Sequence, residues 1–487
     1  MRAGAHLIAY ADRLAGSLRG LHELLDGPLA GVFTGVHVLP FFTPFDGADA
    51  GFDPVDHTAV DPRLGTWDDV RALAARYEVM ADAIVNHVSA DSPQFRDWLE
   101  RGDASPYAGM FLTLGGVYPD GVTEEELLGI YRPRPGLPFT PVTLAAGTRR
   151  LAWTTFTPQQ IDLDVAHPRG RAYLGEVLRA LAAGGVAVVR MDAVGYAVKT
   201  PGTSSFMTPH TFAFIRSLTE EARGLRLEVL VEVHSYWRRQ VEIARQVDLV
   251  YDFALPPLIL HALTTGDGAP LRAWWEERPG NAVTVLDTHD GIGVIDVGAD
   301  QADRSLGGLL GQKEIDALVE AIHANSGGTS ARATGAAASN LDLYQVNCTV
   351  YDALGRDDRR YLLARALQVF TPGIPQVYYV GLLAGANDME LLARTGVGRD
   401  VNRHYYTRQE VLEALERPVV RTQLDLLRAR SRPAFGGEWS LDGTEAAPEL
   451  RFRGPTGEAA VLACDLHSGT FEVWVRDADG EDRITPP

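Results

Sequence analysis

Three acidic residues end apolar, strand-like segments and could together carry out nucleophilic and acid–base chemistry. They are Asp192, Glu232 and Asp290. Parallel strands bring their carboxyl ends to one edge of a sheet, so these three side chains can meet there. One acidic residue at a strand end is weak grounds for a site. Three in order, with His234 and His289 beside them, favour an active site over a structural role.

Arg190 precedes Asp192 by two residues, so in a strand both side chains point to the same face. A guanidinium favours the charged form of a neighbouring carboxylate, and we expect Arg190 to lower the pKa of Asp192. Glu232 faces the other two carboxylates in a partly desolvated pocket, and we expect its pKa to be raised. With their pKa values shifted in opposite directions, Asp192 and Glu232 suit the roles of nucleophile and general acid/base. The other interpretation is that Arg190 and Asp192 form a structural ion pair.

The elements that must position these residues alternate between strands and helices. Helix starts are marked by a capping box at Thr66 and Asp69 and by the pairs 167–168 and 208–209, in which proline follows a capping residue. Eight apolar segments are predicted as strands: 6–10, 36–40, 80–85, 186–192, 227–234, 247–252, 283–286 and 373–381. This pattern predicts an α/β fold, a (β/α)8 barrel with two loop-derived insertion domains and a small C-terminal antiparallel β domain.

The predicted barrel is divided along the chain by two segments in which the alternation stops. The partition is as follows: catalytic barrel at 1–87, 166–291 and 356–434, insertion domains at 88–165 and 292–355, and the β domain at 435–487.

Composition limits the classes of partner. The chain of 487 residues has a net charge of −19, which disfavours nucleic acid and anionic membranes as partners. Cys348 and Cys464 are too few for a disulfide framework or a thiolate metal site. No apolar run is long enough for a membrane span and no compact cation-binding loop is visible, so we expect a cytoplasmic protein without metal or organic cofactor.

Four motifs resemble the conserved regions of the α-amylase superfamily of glycoside hydrolases. They are Asp82-Ala83-Ile84-Val85-Asn86-His87, Val189-Arg190-Met191-Asp192-Ala193-Val194, Glu232-Val233-His234 and His289-Asp290. The resemblance implies Asp192 as nucleophile, Glu232 as general acid/base and Asp290 as stabiliser of the transition state. Retaining cleavage of a glycosidic bond uses two carboxyls about 5 Å apart.

Longer segments resemble the sucrose phosphorylase family within that superfamily. They are residues 40–54, 131–139, 157–160, 202–209, 340–347 and 398–406. The resemblance implies reversible, retaining phosphorolysis of sucrose by inorganic phosphate to α-D-glucose 1-phosphate and D-fructose, through a covalent glucosyl-Asp intermediate. It also implies a possible homodimer formed through the first insertion.

The same resemblance implies a set of substrate-binding residues. On the glucosyl side these are Asp49, His87, His289, Asp290 and Arg399, with Phe52 and Phe156 as walls and Asp49 paired across the glucose to Arg399. Arg190 belongs to the same substrate-binding set. On the acceptor side they are Arg134, Tyr196, His234, Asp342, Leu343, Tyr344 and Gln345. We expect His87 and His289 to donate to sugar hydroxyls while neutral.

The acceptor site must take neutral fructose and then anionic phosphate. Phosphate would meet repulsion from the carboxylates unless a cation is supplied, and Arg134 can offer the forked geometry that phosphate prefers. We expect loops 131–138 and 336–345 to move, presenting Asp342 to fructose and Arg134 with Tyr344 to phosphate.

Several alternatives keep the fold and change the reaction. A phosphorylase of sucrose 6′-phosphate, glucosylglycerol or glucosylglycerate would need different acceptor loops. A sucrose hydrolase or transglucosidase would release or transfer glucose without responding to phosphate. A non-catalytic carbohydrate-binding protein is disfavoured because the three acidic residues are all present.

Overall fold

Eight parallel strands form a closed barrel in the computed structural model, which describes residues 1–133, 136–145, 147–300, 303–335, 345–478 and 480–486. The strands are β1 (Ala5–Ala9), β2 (Phe33–Val38), β3 (Glu78–Ile84), β4 (Val188–Asp192), β5 (Glu228–Val231), β6 (Leu249–Asp252), β7 (Ala282–Val285) and β8 (Ile374–Tyr378). Each strand pairs with the next, and β8 closes on β1 through the pair His6–Gln376. The predicted (β/α)8 barrel is therefore confirmed.

The barrel strands are apolar because both of their faces are covered. All five residues of β1 and all four of β7 are buried. Outside the barrel, the helices run over the strands and cover their outer faces.

The predicted helix starts are confirmed by their hydrogen bonds. Asp69 accepts from the backbone N–H of Thr66 at 2.8 Å, and Thr208 accepts from the N–H of Thr211 at 3.3 Å. His167 caps the helix Pro168–Ala183 in the same way, accepting from the N–H of Arg169 at 3.2 Å. These caps satisfy N–H groups that have no partner inside the helix.

The helices of the described chain have the following bounds: Ala11–Ala15, Leu18–Asp26, Trp67–Ala74, Pro93–Arg101, Leu114–Val117, Glu124–Gly129, Pro168–Ala183, Pro209–Gly224, Trp237–Ala244, Leu255–Thr265, Ala269–Glu277, Gln312–Asn325, Thr329–Gly335, Val350–Ala353, Asp358–Phe370, Tyr379–Leu382, Met389–Thr395, Arg408–Leu415 and Pro418–Ala429. No helix in these ranges combines the length and the apolar character that a membrane span requires.

Short strand pairs lie in the connections between barrel elements. They join Phe42–Thr43 to Asp56–Val60, His87–Ser89 to Gln160–Asp162, Phe139–Thr143 to Arg149–Trp153, and Ile292–Gly293 to Gln345–Val346. The second pair ties the long connection between β3 and β4 back to the mouth of the barrel.

The C-terminal part of the chain forms a five-stranded antiparallel sheet, as predicted. Its strands are β9 (Glu438–Gly443), β10 (Pro448–Arg453), β11 (Ala459–Asp465), β12 (Thr470–Asp477) and β13 (Gly480–Ile484), paired in chain order. Trp439 of this sheet donates to the carbonyl of Phe370 at 3.1 Å, which joins the sheet to the helix Asp358–Phe370.

One prediction about the barrel is wrong: Asp290 does not end a strand. Strand β7 stops at Val285, and the chain leaves the sheet because Asp287 binds other elements. The Asp287 carboxylate accepts from the N–H of Tyr378 at 3.1 Å and from Arg365 at 2.8 Å. Asp290 therefore lies on the loop that follows β7.

Candidate active site

A cavity of about 380 Å³ opens at the carboxyl ends of the barrel strands. Its lining residues come from many connections and include Asp49, Phe52, His87, Phe156, Asp192, Tyr196, Glu232, His234, His289, Asp290, Gln345 and Arg399. These are candidate residues singled out from the sequence. The fold brings them together from positions up to several hundred residues apart in the chain.

Asp192 and Glu232 both lie close to the guanidinium of Arg190. Nη1 of Arg190 donates to Asp192 Oδ1 at 2.7 Å, and Nη2 lies 3.9 Å from Glu232 Oε2. The chain turns sharply after Asp192 through Ala193, whose φ of 53° lies in the left-handed region. That turn aims the N–H of Ala193 at Glu232 Oε2, 3.3 Å away. Two carboxyls in such different environments can serve separately as nucleophile and as general acid.

A third carboxylate lies behind Arg190 inside the barrel. Asp82 of β3 is opposite Arg190 in the strand register and accepts from Nη1 at 2.6 Å. Nε2 of His37 lies 3.0 Å from the other oxygen of Asp82. Asp82 is fully buried, so the arginine and histidine partners are what allow it to remain charged there.

Arg190 acts to lower the pKa of Asp192, as expected, but other effects outweigh it. Burial raises the pKa of Asp192 well above its ordinary value, Arg190 opposes that shift, and the charge of Glu232 adds to it. The physical reason is that one guanidinium serves three carboxylates. Arg190 is also bound by Asp82, so its charge is not available to Asp192 alone.

Asp290 is held by an arginine-rich segment near residue 400. Arg399 donates to Asp290 Oδ1 at 2.5 Å, and Arg403 donates to the carbonyl of His289 at 2.9 Å. Burial acts to raise the pKa of Asp290, but the neighbouring His289, Arg399 and Arg403 hold it well below its usual range. Asp290 is therefore a carboxylate at neutral pH.

The hydrogen bond of Arg399 differs from the expected pairing with Asp49. Arg399 binds Asp290, while Asp49 accepts from Gln160 at 3.3 Å and lies close enough for its charge to raise the pKa of Arg399. Asp49 and Arg399 still line the same cavity, so both can reach one bound sugar ring.

Aromatic rings form the walls of the cavity. Phe52 stacks on His289 with ring centroids 4.9 Å apart and planes within 10°. Phe156 meets His87 edge to face at 5.5 Å and Tyr196 at 5.2 Å. Aromatic faces are suited to the apolar C–H faces of a sugar.

Both histidines of this wall are neutral, as expected. Burial lowers the pKa of His289 to about 3 and also lowers the pKa of His87. Nε2 of His87 donates to the carbonyl of Phe52 at 2.9 Å, which ties one wall to the other. A neutral imidazole can both donate to and accept from sugar hydroxyls.

Three of the predicted acceptor residues, His234, Tyr196 and Gln345, line the cavity in the described chain. Nε2 of His234 lies 3.4 Å from the amide nitrogen of Gln345 and 3.8 Å from Glu232 Oε1. The other predicted acceptor residues, Arg134, Asp342, Leu343 and Tyr344, lie outside the described residues.

Sequence reasoning missed a buried lysine that ties the site together. Lys199 pairs with Asp162 at 2.6 Å, donates to Asn86 at 3.0 Å, and donates to the carbonyl of Tyr196. Asn86 immediately precedes His87, and Tyr196 lines the cavity. The sequence held one signal for this role: lysine is scarce in the chain, and only Lys199 and Lys313 are present.

Two clusters have spacings that a metal ion could bridge. Glu232, His234 and Asp290 bring one potential ligand atom each within 4.8 Å of one another, as do His261, Asp267 and Glu314. In the first cluster Arg399 already binds Asp290. In the second, Asp267 and Glu314 are exposed carboxylates, which commonly hold no ion. Spacing alone therefore assigns no metal to either cluster.

The barrel and its three carboxylates define an enzyme of the α-amylase class. The alpha-amylase family, described as "Alpha amylase, catalytic domain", matches residues 9–246. That span contains the candidate residues Asp192 and Glu232.

Relatives match the whole chain. It is 60% identical to a sucrose phosphorylase of Agrobacterium vitis and 56% identical to one of Bifidobacterium adolescentis, covering 100% of this chain and 97% and 95% of those proteins. The crystal structure of sucrose 6F-phosphate phosphorylase from Thermoanaerobacter thermosaccharolyticum is similar over 100% of this chain and 98% of that one, with 35% identity and a TM-score of 0.91. The chain belongs to the sucrose phosphorylase family of the α-amylase superfamily.

Proposed function

We propose that the protein is a sucrose phosphorylase, a hexosyltransferase that reversibly converts sucrose and inorganic phosphate into α-D-glucose 1-phosphate and D-fructose with retention. The observation that carries the proposal is the placement of Asp192 and Glu232 beside the same guanidinium, in a cavity of about 380 Å³. Two such carboxyls can act as nucleophile and as acid/base. Family membership supports sucrose and phosphate as the substrates.

In the first half-reaction, an Asp192 oxygen attacks the anomeric carbon while the bond to the fructose oxygen breaks. Glu232 gives its proton to that oxygen, and fructose leaves. In the second, an oxygen of phosphate attacks the same carbon, Asp192 leaves as a carboxylate, and Glu232 takes up the proton of the attacking phosphate. Two inversions leave the product in the α configuration.

The first half-reaction needs a proton on Glu232 and a negative charge on Asp192. Arg190 donates to Asp192 at 2.7 Å but lies 3.9 Å from Glu232, so its charge opposes the effect of burial on Asp192 and favours the carboxylate form of the nucleophile. Asp290, kept ionised by its arginine neighbours, is proposed to stabilise the oxocarbenium-like transition state.

The remaining site residues are proposed to bind the two halves of the substrate. Asp49, Phe52, His87, Phe156, His289 and Arg399 would hold the glucosyl unit; Arg134, Tyr196, Asp342, Leu343, Tyr344 and Gln345 would serve the acceptor. We retain the hypothesis that loops 131–138 and 336–345 alternate between fructose and phosphate. An Arg134→Ala variant would raise the phosphate KM if that hypothesis is right, and an unchanged KM would contradict it.

Product analysis tests the proposed function. The purified protein is incubated with sucrose, with and without inorganic phosphate, and the sugars are separated by anion-exchange chromatography. Phosphate-dependent glucose 1-phosphate with an equal amount of fructose is expected, with the α anomer identified by NMR. Asp192→Asn should abolish both products, whereas the exposed Asp103→Asn is the matched control. Glucose release that does not respond to phosphate would refute phosphorolysis.

A phosphorylase of sucrose 6′-phosphate is the second candidate. It is favoured by the similarity to the solved sucrose 6F-phosphate phosphorylase, at 35% identity, but the identity of 60% to a sucrose phosphorylase favours sucrose. Comparing kcat/KM for sucrose and sucrose 6′-phosphate distinguishes the two. Glucosylglycerol and glucosylglycerate are tested in the same assay.

A homodimer formed through the first insertion, in the cytoplasm, is also proposed. Leu128, Leu137 and Leu151 all lie in this part of the chain with 41–67% of their surface exposed. Exposed leucines on one segment favour a protein contact there. Light scattering tests this proposal by comparing the protein with a variant in which the three leucines are changed to serine. If the leucines form the dimer contact, the variant has half the mass of the unchanged protein.

A further inference from the structure

His234 is one half of a buried imidazole–carboxylate dyad at the edge of the cavity. Its Nδ1 lies 2.7 Å from Asp296 Oδ2, and Asp296 is 0% exposed. Its Nε2 is on the cavity side, near Gln345 and Glu232. A histidine that gives one N–H to a carboxylate has its tautomer and ring direction defined by that bond.

The surroundings hold this dyad in one geometry. Phe253 stacks on the imidazole with centroids 3.9 Å apart and planes within 15°. A Cβ on Gly293 would stand 2.4 Å from Asp296 Oδ2 and 3.1 Å from His234 Nδ1, so this position has no room for a side chain. Phe253 therefore covers one face of the ring, and the lack of a side chain at Gly293 leaves room for the contact between His234 and Asp296.

The hydrogen bonds that Asp296 accepts favour the charged form of its side chain. Besides His234, it accepts from the N–H of Ser235 at 2.9 Å and from Gln240 at 2.9 Å. Burial raises the pKa of Asp296, but these three donors favour the carboxylate form and oppose that shift. A buried carboxylate with this many donors is a suitable partner for an imidazolium.

The charges around His234 favour its protonated form. Burial alone would lower the pKa of His234, but Asp296 and then Glu232 and Asp290 raise it to about 9. Two cations of the described cavity are already engaged, since Arg190 binds Asp82 and Asp192 while Arg399 binds Asp290. At neutral pH, Nε2 of His234 therefore carries a proton and faces a cavity lined by carboxylates.

We propose that Asp296 is a positioning residue that keeps His234 as an imidazolium whose Nε2–H donates to the incoming phosphate, an inference that rests on the proposed function. A dianion entering beside Glu232 and Asp290 needs a donor that cannot become an acceptor, and an imidazolium meets that need. Water needs no such cation, so the dyad favours phosphate over water as acceptor of the glucosyl group.

Asp296→Asn tests the proposal, because the amide keeps the shape of the side chain and removes its charge. The phosphate KM is expected to rise about 10- to 100-fold, while sucrose hydrolysis without phosphate changes by less than about threefold. Asp300→Asn is the matched control, since its carboxylate lies on the same connection and pairs with Arg239 at 3.4 Å. A phosphate KM that is unchanged in Asp296→Asn overturns the inference.

The pH profile adds a readout that a merely structural role would not move. In the wild type, the ratio of phosphorolysis to hydrolysis should fall as pH rises through about 9, because His234 is charged below that pKa and neutral above it. In Asp296→Asn the fall should begin at lower pH. Phosphate remains a dianion through the wild-type transition near pH 9, so that change reports on the protein.

The wild-type profile also decides the matter if Asp296→Asn does not fold. A wild-type ratio that stays constant between about pH 8 and 10 overturns the inference without any variant. If the wild type forms no glucose 1-phosphate at all, the proposed function fails and the inference with it. Glucose 1-phosphate formation with a constant ratio removes the inference alone.

Discussion

Lys199 offers the sharpest test of how the site is held together. Its side chain is 2% exposed and pairs with Asp162, which is 0% exposed. Replacing Lys199 with methionine keeps the length of the side chain and leaves the charge of Asp162 without its cation. Breaking a buried pair by removing one partner costs about 3–5 kcal/mol.

The lower end of that range applies here, because Asp162 keeps two hydrogen bonds from Thr155, one from its backbone N–H at 3.0 Å and one from its hydroxyl at 2.5 Å. At an unfolding entropy of about 2.1 cal/mol/K per residue, a loss of about 3 kcal/mol in a chain of 487 residues lowers Tm by about 3 °C. We also expect kcat/KM to fall, since Asn86 and the carbonyl of Tyr196 lose their shared donor.

Thermal unfolding followed by fluorescence, with initial rates measured alongside, checks both effects. The chain supplies its own control, because Lys313 is exposed and is the other lysine. Lys313→Met should change neither Tm nor rate. The double variant Lys199→Met with Asp162→Asn should recover part of the lost stability, since it removes the unpaired charge. Equal Tm values for Lys199→Met and the wild type would refute the reasoning.

Three further predictions concern the cavity and one cap. Arg399→Met should lower kcat/KM for sucrose by about 100-fold or more, because Asp290 loses a charged hydrogen bond at 2.5 Å; an unchanged initial rate would contradict this. Phe52→Ala removes the ring stacked on His289 and should raise the sucrose KM about 10-fold, whereas Phe52→Tyr should retain most of the affinity. Thr66→Ala removes a capping box and should cost about 1 kcal/mol of stability with no change in rate, measured by denaturant unfolding.

Interactions between distant segments account for the errors in the site. The spacing of Arg190 and Asp192 correctly predicted a contact, yet the pKa of Asp192 depends on Asp82, which shares the same guanidinium from the neighbouring strand. Arg399, which was expected to pair with Asp49 across a bound glucose, also binds Asp290, a contact that the sequence did not predict. Which carboxylate reaches a given cation depends on loop geometry, and sequence spacing carries no information on that.

The sequence by itself determined the alternation of strands and helices, the caps, and the three acids, because these depend on local periodicity and on residues close together in the chain. Only the tertiary structure decided which buried charges share partners. The contacts of His37 with Asp82, Lys199 with Asp162, and His234 with Asp296 each join segments 37 or more residues apart. Such pairs form only when the barrel closes and excludes water, since burial is what makes each charge depend on its partner.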